Sequence, residues 1–543
     1  MSATYLPHSR FTFWGKLAAA AALVALADVL FDIHDHPGAT VGALALAWTA
    51  ALVVMNPAVR RDRRALLAAG AAAALAFVLI EDPGAIAVVL FGVALTLAAL
   101  LPRSGPFGDA RKWAGRLLFH GVTAPLRPLR DLSRLRQRVP KEMRGRIWTF
   151  APAFILPVAG GAVFLLLFSQ ANPVISEALR SMRGPRLDFE LIARLVFWTV
   201  VFVAVWATLR PRLPRRRKRP QTRRATALPG VSVASVTMSL VVFNALFLLQ
   251  NGLDLAYLWS GAGLPEGITL AEYAHRGAYP LIATALLAGL FVLVALRPGT
   301  PTAERPMIRR LVVLWIAQNV FLVASTAHRT LDYVAAYSLT GMRIAALAWM
   351  GLVAVGLVLI CWRLVRGRSG AWLINANALA ALSVLALSTV LDFEAVAAAW
   401  NIRNARDTGG SGAELDICYL NTLEGSGLVA LAELEQRPLS ADLHERVTAI
   451  RKRNQARLEA AQADWRSWTW RGARRLARVQ ALTSEVDEPT PIEARDCNGG
   501  LVRHDTIGFS APPALIVPPV TRGGSADHSA PTEADVLTHP VQP

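Results

Sequence analysis

Two apolar stretches of the chain carry polar side chains at helical spacing. Thr237, Asn244 and Asn251 recur every seven residues. Gln318, Ser325, Arg329 and Asp332 follow one another at seven, four and three, with Asn319 beside Gln318. On a helix each set shares one face. Polar groups in a segment long enough to cross a bilayer are costly. They either line a path for a polar solute or headgroup, or they hydrogen-bond one helix to another. Carboxamides serve both purposes and are poor acids and bases. Arg329 and Asp332, three apart, can pair with each other at the outer end.

Ionisable groups come from the segment QNGLDLAYLWSGAGLPEGITLAEYAHRGAYP at 250–280. Asp254, Glu272, Tyr273, His275 and Arg276 would gather at the mouth of a cavity between the two stripes, with Glu272 as a possible acid or base. The same residues have structural work available: Thr269 and Glu272 form a capping-box pattern, and Glu272 and Arg276 an i,i+4 pair. Asp28, Asp32 and His36 lie at i, i+4 and i+8 with donor types that suit zinc or another divalent cation. A polar turn between helices accounts for them as well, and no resident metal or cofactor is expected. Arg194 is expected to pair with Glu190. The chain has no G-x-x-x-x-G-K-[ST], H-E-x-x-H, C-x-x-C or G-x-S-x-G. A primary ATP-driven pump, a zinc protease of that type and a serine hydrolase with that elbow lose support.

The elements that must position these residues follow from composition. The 543 residues are 54% hydrophobic and only 17% charged, with a mean hydropathy of +0.39; a soluble domain has roughly 25% charged residues. The apolar residues fall in eleven blocks near 14–31, 39–55, 65–80, 84–101, 147–168, 189–209, 230–250, 279–296, 311–328, 343–362 and 372–391. Each is long enough, or nearly so, for a hydrocarbon core of about 30 Å, and each must be helical because no backbone group can stay unpaired in lipid. The expected fold is all-α: a polytopic membrane bundle of about eleven helices.

Lys and Arg mark cytoplasmic loops. With the N-terminus inside, the inner segments 1–16, 56–64, 102–146, 210–227, 297–310 and 363–371 hold 34 basic residues and the outer loops six. An odd number of spans then places the C-terminal tail outside the cytoplasm. The net charge of +19 divides into +24 before residue 392 and −5 from there on. The basic runs, including RPRLPRRRKRPQTRR at 210–224, lie between apolar blocks. They read as anchors at lipid headgroups and not as nucleic-acid contacts. The run at 17–27 reads as an uncleaved first helix, since Asp28 follows it and no small-residue cleavage site is clear.

Five regions result: N-terminal transmembrane hairpins at 1–101, a basic cytoplasmic segment at 102–146, the main bundle at 147–391, an extracytoplasmic helical domain at 392–484, and a Pro-rich disordered tail at 485–543. In the second, Leu126, Leu129, Leu132 and Leu135 recur every three residues among arginines, as in a helix lying on an anionic leaflet or a solvated charged segment. In the fourth, Leu443, Val447, Ile450, Leu458, Ala461, Trp465 and Trp468 keep helical spacing after a break at Gln436–Ser440, with Ser440 as N-cap. Trp465, Trp468 and Trp470 are expected to pack in its core, with the outer headgroups as the other resting place. Cys418 and Cys497 both fall in the exported tail, which points to a disulfide closing a loop of about 80 residues.

Three segments together resemble a known family. They are FNALFLLQNGLDLAYLWSGAGLPEGITLAEYAHRGAYPLIATALL at 243–287, TLDYVAAYSLTGMRIAALAWM at 330–350, and the stretch from Asp392 through AWNIRNA to LDICYLNTLEGSGLVAL ending at 431. They resemble the bacterial polytopic membrane family catalogued as domain of unknown function 4173, with 4153 as a sister, over roughly 150–470. The resemblance implies a bacterial inner-membrane protein. It implies that Glu272, Tyr273, Arg276, Tyr333, Tyr337 and Arg343 belong to signature segments, and supplies no catalytic residues. The family often has Arg where this chain has His275 and Gly where it has Ser338.

Three functions are compatible with these observations. The first is a non-enzymatic envelope scaffold or sensor whose outer loops and tail bind a periplasmic protein or a membrane lipid. The second is a transporter or lipid translocator using the two stripes, with Asn244, Asn251, Asp254, Glu272, Tyr273, Arg276, Gln318, Asn319, Arg329, Asp332, Tyr333 and Arg343 around its cavity. The third is an intramembrane lipid-modifying enzyme built on Glu272.

Overall fold

The computed structural model describes residues 10–31, 37–104, 108–138, 189–212, 232–260 and 305–483, together with positions 284, 287, 291 and 497. Among them every regular element is helical. The helices are α1 Arg10–Leu30, α2 Thr40–Met55, α3 Pro57–Arg61, α4 Arg63–Glu81, α5 Ala85–Leu100, α6 Ala110–Thr123, α7 Leu126–Arg138, α8 Phe189–Leu209, α9 Val233–Asp254, α10 Pro306–Tyr337, α11 Gly341–Arg366, α12 Gly370–Val390, α13 Phe393–Asn404, α14 Ile417–Thr422, α15 Leu428–Glu435, α16 Ala441–Ala463 and α17 Trp470–Thr483. Eight described helices are long and apolar enough to cross a membrane, and α2 is a shorter apolar one. These nine match nine of the eleven expected blocks; the blocks at 147–168 and 279–296 lie outside or almost wholly outside the described residues.

The spans form two groups. Helices α1, α2, α4, α5 and α8 share one core, made largely of alanine on α4 and α5 with Leu52, Phe91, Trp206 and Leu209. Helices α9 to α12 share a second, centred on Leu240, Val312, Trp315 and Leu357. At the end where Arg60–Arg64, Arg103 and Arg210 lie, Lys16 donates to the Leu209 carbonyl at 2.8 Å, joining α1 to α8. The Asn375 side chain accepts from the Ala110 amide at 2.8 Å, joining α12 to α6.

Helix α7 inverts the usual order of charged outside and apolar inside. Leu126, Leu129 and Leu132 are exposed while Arg127 and Asp131 are buried. Arg127 donates to the carbonyls of Ala207 at 3.1 Å and His120 at 3.2 Å, and Asp131 accepts from Trp206 Nε1 at 3.2 Å. The buried charges therefore fix α7 to the end of α8, and its described leucines face out. Burial, reinforced by the Arg127 charge, pushes the His120 pKa down to about 4, so that imidazole stays neutral at ordinary pH.

At the opposite end, residues 392–483 pack as α13 to α17 around Leu420, Leu431, Leu434, Val447 and Ile450. A second small core holds Leu428, Ala432 and Val479. A buried Glu435–Arg451 pair at 2.7 Å crosses from α15 to α16. Cys418 and Cys497 stand at disulfide distance with Cα atoms 4.9 Å apart, matching the expected bridge.

The expected single helix through Trp468 is instead two. The chain turns at Asp464, whose side chain accepts from the Arg466 amide at 3.1 Å, so α16 stops at Ala463 and α17 starts at Trp470. Trp465 and Trp470 are exposed and do not join the core. Ser440 precedes α16 but its side chain makes no capping bond.

The turn between α16 and α17 is seated on the spans. The Arg466 and Trp468 carbonyls accept from the amides of Gly38 at 3.0 Å and Ala39 at 2.7 Å, at the start of α2. A Cβ on Gly38 would lie 2.4 Å from the Arg466 oxygen, so this approach requires glycine. Arg471 pairs with Asp82 at 2.8 Å and donates to the Val390 carbonyl at 3.1 Å. Arg474 pairs with Glu81 and Arg475 with Asp392. One short helix thus ties the ends of α4 and α12, and with them the two groups of spans.

Candidate functional site

The two polar stripes face each other across α9 and α10. Helix α9 begins with a reciprocal cap: the Ser232 hydroxyl accepts from the Ser235 amide and the Ser235 hydroxyl from the Ser232 amide, both at 3.0 Å. Helix α10 opens with Pro306 at its first turn and runs 32 residues, about 48 Å at 1.5 Å per residue, longer than a hydrocarbon core.

Hydrogen bonds cross the seam in register. Asn244 Nδ2 donates to the carbonyls of Leu240 at 2.7 Å and Leu311 at 3.1 Å. Its Oδ1 accepts from Gln318 Nε2 at 2.7 Å. One heptad further on, Asn251 Nδ2 donates to the Gln318 carbonyl at 3.2 Å. The spacing of seven that sets Asn244 and Asn251 on one face of α9 matches Leu311 and Gln318 on α10, so the two helices run parallel at this contact. Asn319 is wholly buried and donates to the Trp315 carbonyl at 2.8 Å. Thr237 donates to its own helix at Val233 and does not cross.

The seam ends in an ion pair. Asp254 and Arg329 are both buried and bonded to each other, and Gln250 Nε2 donates to Asp254 Oδ1 at 3.0 Å. The short-range Arg329–Asp332 pair that the spacing allows gives way to this longer-range one. Asp332 turns away to His328, whose Nδ1 lies 3.0 Å from it. The reason is burial. A guanidinium this far inside requires a desolvated counter-charge, and Asp254 is 1% exposed whereas the Asp332 side chain is 40% exposed. After Asp254 the backbone widens into a π-helical turn, Leu255–Trp259. It brings Trp259 onto α10, where its Nε1 donates to Ser325 Oγ at 3.2 Å and its ring meets His328 at 4.9 Å.

The remaining expected site residues divide. Tyr333 and Tyr337 contact each other at 4.8 Å, and Arg343 lies over the Tyr333 ring at 4.3 Å while donating to the Tyr337 carbonyl at 2.6 Å. These three clasp the end of α10 and lie beyond the seam. Glu272, Tyr273, His275 and Arg276 lie outside the described residues, as do Asp32 and His36. Asp28 accepts from Trp198 Nε1 at 2.8 Å, and among the described residues no group of three or more His, Cys, Asp or Glu could hold a metal. Arg194 pairs with Glu190 at 3.0 Å as expected.

Gln250 and Trp259 are seam residues that the stripes did not include. Gln250 carried a legible signal, lying four residues before Asp254. Trp259 carried none, because its approach depends on the π-helical turn.

A family model described as "Domain of unknown function (DUF4153)" matches residues 18–434. The match falls on the family that the sequence segments suggested as the sister, and it reaches back through the first spans, which the resemblance left out. No curated protein and no solved structure matches the chain.

Proposed function

Because the chain belongs to the family described as domain of unknown function DUF4153, a membership that carries no activity, we propose the function from the architecture: an envelope membrane protein that holds a rigid external unit against its spans to bind a periplasmic or lipid partner. The inner membrane of a bacterium is its location, with the arginine-rich end cytoplasmic and residues 392–483 outside.

The observation that carries this reading is the seating of α17. A merely tethered tail would need no arginine on the ends of separate spans. Here Arg471, Arg474 and Arg475 engage Asp82, Glu81 and Asp392, and the Cys418–Cys497 pair stands at disulfide distance across 79 positions of the unit. A disulfide persists only in an oxidising compartment, which agrees with the charge rule for the loops.

The experiment joins location to binding. An exported-only reporter enzyme fused after Thr483 should be active. Photo-crosslinking residues at Ala456 and Ala460, exposed one turn apart on α16, should give discrete adducts in intact cells. A silent reporter overturns the orientation. An active reporter with no adduct from any exposed face of α16 overturns the partner.

A further inference from the structure

Trp465 and Trp470 flank the turn that seats the external unit. They are 53% and 56% exposed, and neither indole N–H has a hydrogen-bond partner among the described residues. Four other tryptophans, Trp48, Trp198, Trp206 and Trp259, donate to Thr208, Asp28, Asp131 and Ser325. A large apolar ring with one donor on its edge is costly to leave in water and suits a boundary between lipid and water.

Their depth is set by the ends of four spans. Helices α1 and α12 have 21 residues each, about 31 Å at 1.5 Å per residue, so their ends stand at the edge of a hydrocarbon core of about 30 Å. The turn is bonded to those ends. Arg466 Nε donates to the Val29 carbonyl at 3.4 Å in the last turn of α1, and its guanidinium lies over the Trp465 ring at 5.0 Å. Arg471, the neighbour of Trp470, donates to the Val390 carbonyl at the end of α12 and pairs with Asp82 at the end of α4. The Gly38 and Ala39 amides at the start of α2 hold the backbone between them. Val29 and Val390 are themselves exposed, as residues facing lipid are. Both tryptophans therefore stand at the level of the headgroups.

The spans leave this level without aromatic anchors of their own. The two turns nearest this end read VALADVL on α1, TVGALAL on α2, LAFVLIE on α4, AIAVVLF on α5 and VLALSTV on α12, with no Trp or Tyr. The opposite ends of α1 and α12 carry Trp14 and Trp372. Trp and Tyr normally mark both interfaces of a membrane protein; here the turn of the external unit supplies them on one side. We infer that Trp465 and Trp470 insert among the phospholipid headgroups of the outer leaflet, which makes the bilayer itself a binding surface for the unit. Arg466 brings a cation to the level of the lipid phosphates. This deepens the proposed function: it rests on the unit's placement outside and not on the partner sought along α16.

The test uses the full-length protein in vesicles of phosphatidylethanolamine and phosphatidylglycerol. Benzoylphenylalanine, an aromatic photo-crosslinker, takes the place of Trp465 or Trp470, and mass spectrometry of the irradiated protein should find a phospholipid added at each position. A second measurement avoids the crosslinker. The fluorescence that the wild type has beyond a Trp465→Phe/Trp470→Phe variant is the signal of the two rings. A nitroxide on the fifth acyl carbon should quench it about twofold more than one on the sixteenth, as a ring at the interface requires. No lipid adduct at either position, with a difference signal that no labelled lipid quenches, places the rings in water and overturns the inference. Adducts to protein alone, or stronger quenching from the sixteenth carbon, overturn it equally, the first by a protein partner and the second by burial among the acyl chains. The crosslink decides alone if the double variant fails to fold. Neither measurement depends on adducts from α16, so this inference and the partner-binding reading fail separately.

Discussion

The seam between α2 and α4 and the seam between α9 and α10 join helices of similar apolar character by opposite means. On α4 the buried positions Ala65, Ala69, Ala72 and Ala76 form a smooth face. Gly42 of α2 lies so close to α4 that a Cβ would stand 2.4 Å from Ile80 Cγ1 and 2.5 Å from the Ala76 oxygen. Small residues let backbones approach, and dispersion then holds them. No buried side-chain polar atom of α2 or α4 lacks a partner. Between α9 and α10 the contact is made by carboxamides and a desolvated ion pair. Packing alone would have been served by the first solution in both places. The second carries polar groups buried among apolar helices, each held by a specific partner across or along the seam.

The largest test of that contrast removes one charge. Arg329→Met leaves Asp254 buried without its counter-charge and should cost about 3–5 kcal/mol, read as the unfolding midpoint in an SDS titration of the detergent-solubilised protein. Adding Asp254→Leu should restore most of the loss, since an apolar pair of similar volume is often neutral or better. If Arg329→Met alone unfolds with the wild type, the pair is hydrated and the two seams are less different than their geometry indicates.

The dry seam is broken by volume. Gly42→Leu forces a side chain against backbone atoms of α4, which cannot yield as a flexible side chain would. Overpacking of this kind costs typically about 1–3 kcal/mol. Gly70 faces open space, so Gly70→Leu on α4 controls for the change in residue type and should stay near the wild-type midpoint in the same titration. Equal loss in both variants would trace the effect to helix propensity and not to close approach.

How far the sequence disclosed these features depends on their range. The stripes were legible because a period of seven is a local property, and so were the helix types, nine of the spans and the Cys418–Cys497 pairing. The ion pair was not. Asp332 is Arg329's neighbour in sequence, whereas Asp254 is 75 positions away and becomes its partner only once α9 and α10 lie parallel. The tail misled for a related reason: the helical spacing through Trp465 and Trp468 continues past Asp464, and the turn there depends on a local side-chain bond and on Gly38 and Ala39, more than 400 residues earlier. Ser338 shows the reverse case. The resemblance implied Gly there, and the structure gives the reason, a φ of 68° and ψ of 165° at the end of α10, a region that glycine occupies almost alone.

The smallest expected effect separates adhesion from purpose within the polar seam itself. Asn244 and Gln318 are bonded side chain to side chain at 2.7 Å, and measured hydrogen bonds between membrane helices average about 0.6 kcal/mol with a maximum near 1.7. A double-mutant cycle of Asn244→Leu, Gln318→Leu and the pair should return a coupling of about that size. A coupling near 0.6 kcal/mol would make the amides a minor adhesive beside the apolar packing of the two helices. A coupling well above 1.7 kcal/mol would make the amides the main adhesive of α9 and α10, and the contrast with the α2–α4 seam would reduce to two ways of holding helices together.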